Sequence, residues 1–135
     1  MIHLDSSYLI DLLRETTRGR PGPALDFVEN LDADETLAVS VHVVCELRAG
    51  AELARRPLKE HEELDRLLSG LLVAYPDAGF ARVYSRVLAA VQRSSRRVAA
   101  MDLLIGTAAL LDEAPLVTRN VKDFSRIPGL QVVGY

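Results

Sequence analysis

The sequence is poor in the features that mark secreted and base-stacking proteins. Its 135 residues contain one cysteine, Cys45, and no tryptophan, and aromatic residues make up only 5% of the chain. A single cysteine excludes an intrachain disulfide framework and gives no support to secretion. The low aromatic content argues against a stacking platform for single-stranded RNA. We therefore expect a chain that folds without covalent cross-links.

Long hydrophobic runs are missing as well. No apolar run reaches the length of about 18 residues that a membrane span needs. Residues 1–5 are neither basic nor apolar over the length typical of a signal peptide. These absences predict a soluble, cytoplasmic protein.

An excess of positive charge is also absent, because 16 Lys and Arg residues face 19 Asp and Glu residues, for a formal charge of −3. This balance excludes a protein that grips nucleic acid by net positive charge alone. It leaves open a local basic stripe, or a site that works through bound cations.

Short apolar strands alternate with helical segments along the chain. Strands are predicted near residues 2–4, 36–39, 71–75, 116–118 and 130–133, with helices between them, of which the most apolar spans residues 99–111. Such alternation predicts an α/β fold, a three-layer α/β/α domain around a mostly parallel central sheet. We see no repeat, low-complexity tract or linker, so residues 1–135 are expected to form a single domain.

Four acidic residues lie where a predicted strand ends or where the core should be. Asp5 closes the first strand, and Asp123 lies just past the strand at residues 116–118. Glu46 is embedded in an apolar segment, and Asp102 is the only charge in the helix at residues 99–111. Taken singly, each acid has a structural interpretation as a helix cap, a turn residue or a solvated side chain. Asp102 is the hardest to explain in this way, because a buried carboxylate is costly unless it is paired.

Taken together, the four acids indicate a cation site, since ligands bind open α/β sheets at the carboxyl ends of their strands. Carboxylates brought within about 4–6 Å of each other repel, so at least one stays protonated unless a cation joins them. Mg²⁺ and Mn²⁺ prefer oxygen ligands, activate water and neutralise a phosphodiester during in-line displacement.

Other site chemistries find little support in the sequence. It contains no Ser-His-Asp set and no Gly-rich phosphate loop, and Cys45 sits in an apolar helical run where a nucleophile is not expected. His3, His42 and His61 lack zinc-ligand spacing. We expect His3 to be a core or edge residue, and His42 at most to support Glu46, one turn further on.

Four segments resemble the motifs of PIN-domain ribonucleases. They are, in chain order, residues 5–10, 43–47, 101–108 and 118–124. Their order, spacing and total length agree with the family over nearly the whole chain. The fourth motif, continued by residues 126–130, is the most specific, and the second is weak by itself. One departure is visible, since Gly106 and Thr107 stand where the family commonly has two alanines. Both residues are small, and the acids are untouched.

A single small PIN domain of this kind resembles the VapC-type toxins of toxin–antitoxin pairs. The resemblance implies a Mg²⁺- or Mn²⁺-dependent endoribonuclease that inhibits translation by cutting structured RNA, often transfer RNA or ribosomal RNA. It also implies a homodimer and a small VapB-like antitoxin. The C-terminal segment of such an antitoxin covers the active site, and its N-terminal domain binds the operator DNA.

The resemblance also assigns roles by position. The metal-coordinating, catalytic acids that it implies are Asp5, Glu46, Asp102 and Asp123. The supporting residues, which orient those acids or a metal-bound water, are Ser7, Thr118 and Asn120.

Two surfaces stay open to more than one interpretation. Arg82, Arg86, Arg93 and Arg97 follow i, i+4, i+11 and i+15, so we place them on one helical stripe. This stripe is either a solvated face or a track for the RNA backbone.

An apolar set on the first helix, with one residue further on, is either core or part of an antitoxin groove. Its members are Leu9, Leu12, Leu13 and Leu53.

Two alternatives to a nuclease were weighed. In a non-catalytic PIN-like module that binds RNA or protein, the four acids would only cost stability through repulsion. A phospho-acceptor switch needs its acceptor aspartate at a central strand end, whereas the second strand here ends at Val39 and Ser40. The metal-dependent nuclease is therefore the favoured hypothesis.

Overall fold

A computed structural model describes residues 1–135 and contains a five-stranded sheet flanked by helices. The strands are β1 (Ile2–Leu4), β2 (Leu37–Ser40), β3 (Leu72–Ala74), β4 (Leu116–Val117) and β5 (Val132–Val133). The helices are α1 (Ser6–Thr17), α2 (Pro23–Glu29), α3 (Val41–Glu52), α4 (Pro57–Leu68), α5 (Phe80–Arg93), α6 (Ala100–Leu111) and α7 (Val121–Phe124). The strand order is β3-β2-β1-β4-β5, and every neighbouring pair is parallel. The predicted α/β class is confirmed, with a sheet that is wholly rather than mostly parallel.

The topology creates a switch point beside β1. The chain moves outward from β1 through β2 to β3, and then returns to the other side of β1 to form β4 and β5. Right-handed crossovers place α1 to α4 on one face of the sheet and α5 to α7 on the other. Ligands of open α/β sheets bind where the direction of winding reverses, outside the carboxyl ends of the strands. Here that position is the junction of β1 and β4.

The start of α3 has a side-chain cap, whereas the start of α1 does not. Ser40 caps α3 by accepting a hydrogen bond from the Val43 N–H at 3.3 Å. In α1, however, Asp5 holds the N-cap position but its side chain accepts no capping hydrogen bond from a backbone N–H, and Ser6 and Ser7 lie in the first turn. The two serines are therefore not caps, and their hydroxyls are available for other partners. The short helix α7 was not predicted, because four residues are too few to show a periodicity.

The core confirms the expected position of His3 and explains the departure at Gly106. His3 is 1% exposed, and its Nε2 lies 2.6 Å from Asp112 Oδ2. A Cβ added at Gly106 would lie 2.6 Å from the Cδ1 of Ile127, which is itself buried. The missing methyl group therefore lets α6 approach the segment after α7. None of the helices combines the length and apolar character needed to cross a membrane.

Candidate active site

The parallel pairing of β1 with β4 brings together two side chains that are far apart in sequence. Leu4 pairs with Val117, so the next residues of the two strands, Asp5 and Thr118, emerge side by side at the carboxyl edge. Asp5 is 3% exposed and Thr118 is fully buried. An acid in this position needs hydrogen-bond partners, because burial without them is costly.

One oxygen of Asp5 receives both partners. Asp5 Oδ2 accepts a hydrogen bond from Ser7 Oγ at 2.8 Å and another from Thr118 Oγ1 at 2.7 Å. The two hydroxyls themselves accept backbone hydrogen bonds, Ser7 Oγ from the Arg119 N–H at 3.1 Å and Thr118 Oγ1 from the Asn120 N–H at 3.0 Å. Since each hydroxyl has one proton and two acceptor positions, it can accept from the backbone and still donate to Asp5 Oδ2.

The other oxygen of Asp5 is left with little to bind. Its one polar neighbour is Ser6 Oγ, at 3.5 Å, and that hydroxyl makes a shorter bond to Glu46 Oε1 at 3.1 Å. Asp5 Oδ1 is therefore the oxygen available to a ligand. The same hydroxyl of Ser6 holds the Glu46 carboxylate beside the start of α1.

Glu46 lies on the second turn of α3 and is exposed as a residue, but its carboxyl group is held against α1. Burial of this carboxyl raises its pKa, and the Ser6 hydrogen bond acts in the opposite direction. The Asp5 and Asp102 carboxylates raise the pKa further. The pKa of Glu46 thus depends on the charges of two of the other three acids, Asp5 and Asp102.

Asp102 lies in the first turn of α6 and Asp123 in the first turn of α7. Burial raises the pKa of Asp102, and the charges of Asp5 and Asp123 raise it further. The side chain of Asp123 is 56% exposed, and its Oδ1 lies 3.9 Å from Arg126 Nη1. Asp102 therefore lies within electrostatic range of Asp5 and Asp123, as Glu46 does of Asp5 and Asp102.

The donor set fits a hard divalent cation in its chemistry. It consists of carboxylate oxygens, which Mg²⁺ and Mn²⁺ prefer, and a cation would relieve the repulsion that raises the pKa values of Glu46 and Asp102. No group of three or more His, Cys, Asp or Glu side chains converges on one point in the geometry of a metal site. Coordination by the four acids is therefore a prediction that depends on adjustment of these side chains.

The remaining predicted residues divide into those that reach the site and those that do not. Ser7 and Thr118 contact Asp5 directly. Asn120 is exposed and contributes only its backbone N–H, to Thr118. His42 makes no hydrogen bond to Glu46, its Nε2 is buried without a partner, and burial lowers its pKa.

The prediction of a single arginine stripe was wrong at Arg97. Helix α5 ends at Arg93, with Ser94 as the C-cap and Ser95 at a φ of 58°. A left-handed residue reverses the chain direction, so Arg97 lies in the segment between α5 and α6. The other three arginines, Arg82, Arg86 and Arg93, lie on α5 and are exposed.

Three residues near the site were missed by the sequence analysis, namely Ser6, Arg119 and Arg126. Ser6 contacts Glu46, which lies 40 residues further along the chain, so no local signal marks this role. Arg126 was detectable from its i+3 spacing to Asp123. Its Nη1 also donates to the Arg97 carbonyl oxygen at 3.0 Å, which links the segment after α5 to the site. Cys45 is exposed, contrary to the buried setting that its apolar neighbours indicated.

A groove of 450 Å³ between α1, α3 and α4 opens beside Glu46. Its apolar lining includes Leu9, Ile10, Leu13, Leu47 and Leu64. Its charged lining includes Arg14 on α1, Arg18 at the C-cap of α1, and Glu60 and Glu63 on α4. Of the apolar set predicted for core or groove, Leu9 is fully buried, whereas Leu12 and Leu53 are absent from the lining and Leu53 is 89% exposed.

Comparison with known proteins gives a consistent result. The sequence model of the PIN domain matches residues 2–130. Ribonuclease VapC2 of Rickettsia felis is 31% identical over 103 residues, which cover 76% of this chain and 77% of that protein. Ribonuclease VapC19 of Mycobacterium tuberculosis is 29% identical over 128 residues, covering 95% of both chains.

Solved structures show the same likeness. VapBC2 from Rickettsia felis, bound to a DNA fragment from its promoter, superposes with a TM-score of 0.90 at 26% identity, covering 100% of this chain and 99% of that one. VapBC-1 from nontypeable Haemophilus influenzae superposes with a TM-score of 0.86 at 28% identity, covering 99% and 98%. The similarity therefore extends over the full length of the fold.

The raised pKa values of Glu46 and Asp102 predict how the metal-free protein responds to pH. A carboxyl group whose pKa is higher in the folded than in the unfolded state destabilises the fold as pH rises from the unfolded value, about 4, through the folded value. We expect Asp102→Asn to remove part of this loss and to raise the melting temperature at pH 7 by about 2–5 °C. Near pH 3 the wild type and Asp102→Asn should have the same melting temperature.

The measurement is a series of thermal melts in chelator from pH 3 to pH 8. Asp34→Asn is the matched control, since Asp34 is exposed and makes no hydrogen bond or ion pair. A stability gain in Asp34→Asn equal to that in Asp102→Asn would show that the effect comes from net charge rather than from the site.

Proposed function

Because the chain belongs to the PIN-domain family, we propose that it is an endoribonuclease that acts as the toxin of a VapBC-like toxin–antitoxin pair. It uses Mg²⁺ or Mn²⁺ to hydrolyse phosphodiester bonds in structured RNA, transfer RNA or ribosomal RNA, and thereby inhibits translation. The observation that carries the proposal is the buried Asp5, whose Oδ2 accepts hydrogen bonds from two hydroxyls and whose charge raises the pKa of both Glu46 and Asp102. The relatives named Ribonuclease VapC support it.

Each acid has a defined part in this proposal. Asp5 and Asp102 hold the principal cation, and Glu46 and Asp123 complete its site or form a second position. When bound, a divalent cation supplies an activated water and neutralises charge on the phosphodiester. Ser7 and Thr118 keep Asp5 Oδ1 turned toward the site, and Ser6 holds the Glu46 carboxylate in place. Asp123, whose side chain is 56% exposed, faces the incoming RNA.

Removal of one acid tests the activity directly. Asp5→Asn and Asp102→Asn should each lower RNA cleavage about a hundredfold or more, because each removes a predicted ligand of the cation. The same substitutions should abolish the rise in melting temperature that Mn²⁺ gives the wild type. At a Mn²⁺ concentration 100 times the dissociation constant, that rise corresponds to about 2.7 kcal/mol.

The measurements are cleavage of transfer RNA and ribosomal RNA with Mg²⁺, with Mn²⁺ and with chelator, alongside thermal melts. Asp34→Asn serves again as the control that should keep full activity. Equal cleavage by the wild type and Asp5→Asn, after contaminating nuclease has been excluded, would leave the non-catalytic PIN-like module as the better hypothesis.

The arginines suggest the path of the RNA backbone. Arg93 ends α5, Arg97 follows in the next segment, and Arg126 joins that segment to the neighbourhood of Asp123. We infer that phosphates close to the cleavage site contact Arg93 and Arg97, while Arg82 and Arg86 contact phosphates further along α5. Since Arg82 lies eleven residues before Arg93, the two are about 16 Å apart along the helix axis.

Salt dependence distinguishes phosphate contacts from a merely solvated face. In the cleavage-deficient Asp5→Asn background, Arg97→Gln should weaken RNA binding and reduce the slope of log K against log salt by about 0.7–0.9. Arg20→Gln is the control, because Arg20 is exposed and its side chain makes no ion pair or hydrogen bond. An unchanged slope in both Arg93→Gln and Arg97→Gln would refute the path.

The groove beside Glu46 suits the antitoxin. A VapB-like antitoxin would place an amphipathic C-terminal segment against the apolar lining, between the arginines of α1 and the glutamates of α4. That segment would then reach Glu46 and cover the acids, while operator DNA would contact only the N-terminal domain of the antitoxin. We also expect the chain to form a homodimer.

Two exposed apolar residues test this assignment. Ile10 lines the groove at 36% exposure, whereas Leu53 lies outside the lining at 89% exposure. We expect Ile10→Glu to weaken binding of a small DNA-binding protein encoded by the adjacent reading frame by about tenfold or more, since hot-spot losses exceed about 1.4 kcal/mol. Leu53→Glu should bind as the wild type does. Calorimetry of the purified proteins measures both, and equal losses in the two variants would place the partner elsewhere.

A further inference from the structure

We propose that Asp11, Arg119 and Tyr135, here called the anchor cluster, position Asp5 by holding residues 118–120 against α1. The role of Asp5 in cation binding is taken from the proposed function, whereas the effect of the anchor cluster on the backbone is independent of it. None of the three residues belongs to the predicted site. Arg119 lies inside the motif segment at residues 118–124, and Asp11 directly follows the segment at residues 5–10. Neither residue was assigned a role from sequence alone.

The anchor cluster joins three parts of the chain through a single carboxylate. Arg119 Nη1 lies 3.0 Å and 3.2 Å from the two oxygens of Asp11 on α1. The Tyr135 hydroxyl donates to Asp11 Oδ2, and it also lies 3.4 Å from the Ser7 carbonyl oxygen. The segment after β4, the second turn of α1 and the residue at position 135 are therefore tied at one point.

Tyr135 is itself held by the core. Its ring packs edge-to-face on Tyr8, with ring centroids 4.9 Å apart and planes at 87°. Tyr8 is fully buried and donates a hydrogen bond from its hydroxyl to the Ala24 carbonyl oxygen at 2.8 Å. Packing on the buried Tyr8 ring therefore positions the Tyr135 hydroxyl, which is the donor that holds Asp11.

Arg119 transmits this position to the acid site. Its side chain binds Asp11, and its backbone N–H donates to Ser7 Oγ at 3.1 Å. That backbone bond uses one of the two acceptor positions of Ser7 Oγ and holds the hydroxyl beside Asp5 Oδ2, to which it donates at 2.8 Å. Ser7 Oγ also lies 3.2 Å from Thr118 Oγ1, and either hydroxyl could donate to the other.

Two proton arrangements therefore compete. In one, both hydroxyls donate to Asp5 Oδ2, and Asp5 Oδ1 remains free for a ligand. In the other, one hydroxyl donates to its neighbour, and Asp5 Oδ2 loses a donor. Because the Arg119 N–H holds Ser7 Oγ beside Asp5 Oδ2, where the first arrangement can form, loss of the anchor cluster should weaken the orientation of Asp5 without removing any acid.

The ion pair contributes little to global stability. The Arg119 side chain is 56% exposed, and exposed pairs are typically worth about 0–1 kcal/mol. The two possible roles of the ion pair can therefore be distinguished by experiment. Loss of a positioning role changes the acid site, whereas loss of a structural role lowers the melting temperature.

The test uses Asp11→Asn, Arg119→Gln and Tyr135→Phe, with two readouts on the complete chain. The first is hydrogen exchange of the Arg119 and Asn120 amides in the metal-free protein, which should become about tenfold faster in Asp11→Asn and Arg119→Gln. The second is the Mn²⁺ concentration at the midpoint of the rise in melting temperature, which should increase about tenfold, as is typical when a partner of a metal ligand is lost. Arg119→Lys, which keeps the charge, should recover part of both effects.

Asp65→Asn is the matched control. It breaks the Arg48–Asp65 ion pair between α3 and α4, which is also partly exposed and does not touch residues 118–120. We expect it to leave both readouts unchanged. In metal-free melts, all variants should stay within a few degrees of the wild type.

Two results would overturn the proposal. Unchanged protection of the Arg119 amide in Asp11→Asn would show that the cluster does not hold the backbone. Lost protection with an unchanged Mn²⁺ midpoint would show that the backbone does not position Asp5. A wild type without any Mn²⁺ response would instead count against the proposed function, and the exchange measurement alone would then decide whether the anchor cluster holds the loop.

Discussion

The site depends on the register between β1 and β4, which are separated by more than a hundred residues of chain. Leu4 pairs with Val117, and the Asp5 N–H donates to the Val117 carbonyl oxygen at 3.0 Å. A slip of one residue would turn the side chain after β4 to the opposite face of the sheet, because strand side chains alternate. Asp5 would then lose one of its two hydroxyl donors. The register is held by the buried side chains on these short strands, so the hydrophobic core and the acid site depend on the same pairing.

Hydrogen bonds offset the cost of burial to different degrees in the four acids. Asp5 is the most buried, and it receives two hydroxyl donors. Glu46 has one hydrogen bond, from Ser6, and Asp102 has none from a side chain, so burial and mutual repulsion raise the pKa of both groups. The fold therefore places uncompensated negative charge in one region although the whole chain carries only −3. A cation bound there, as the proposed function requires, would offset this charge, which is the physical link between the metal-free fold and the proposed activity.

Much of this arrangement was predictable from local patterns. Strand ends, helix periodicity and the isolated charge at Asp102 gave the α/β class and the four acids. The remainder depends on contacts distant in sequence, such as the hydroxyl pair Ser7 and Thr118, and no local pattern encodes these. Arg97 was misplaced because α5 ends at serines rather than at a glycine or proline, so nothing marked the end of the helix. Periodicity placed Leu9 and its neighbours on α1, but it could not show which side of that helix α3 and α4 leave open.

The crossover topology also separates the two surfaces that the proposed function requires. The groove lies among α1, α3 and α4, on one face of the sheet, and reaches the acids at Glu46. The arginine path follows α5 and the segment before α6, on the other face, and reaches the acids near Asp123 through Arg126. Because both surfaces reach the acids at the carboxyl edge of the sheet, an antitoxin segment and an RNA strand would compete at the acids. Inhibition would then depend on how far the antitoxin segment extends past Glu46, so an antitoxin truncated at that end should still bind the groove while leaving the arginine path open to RNA.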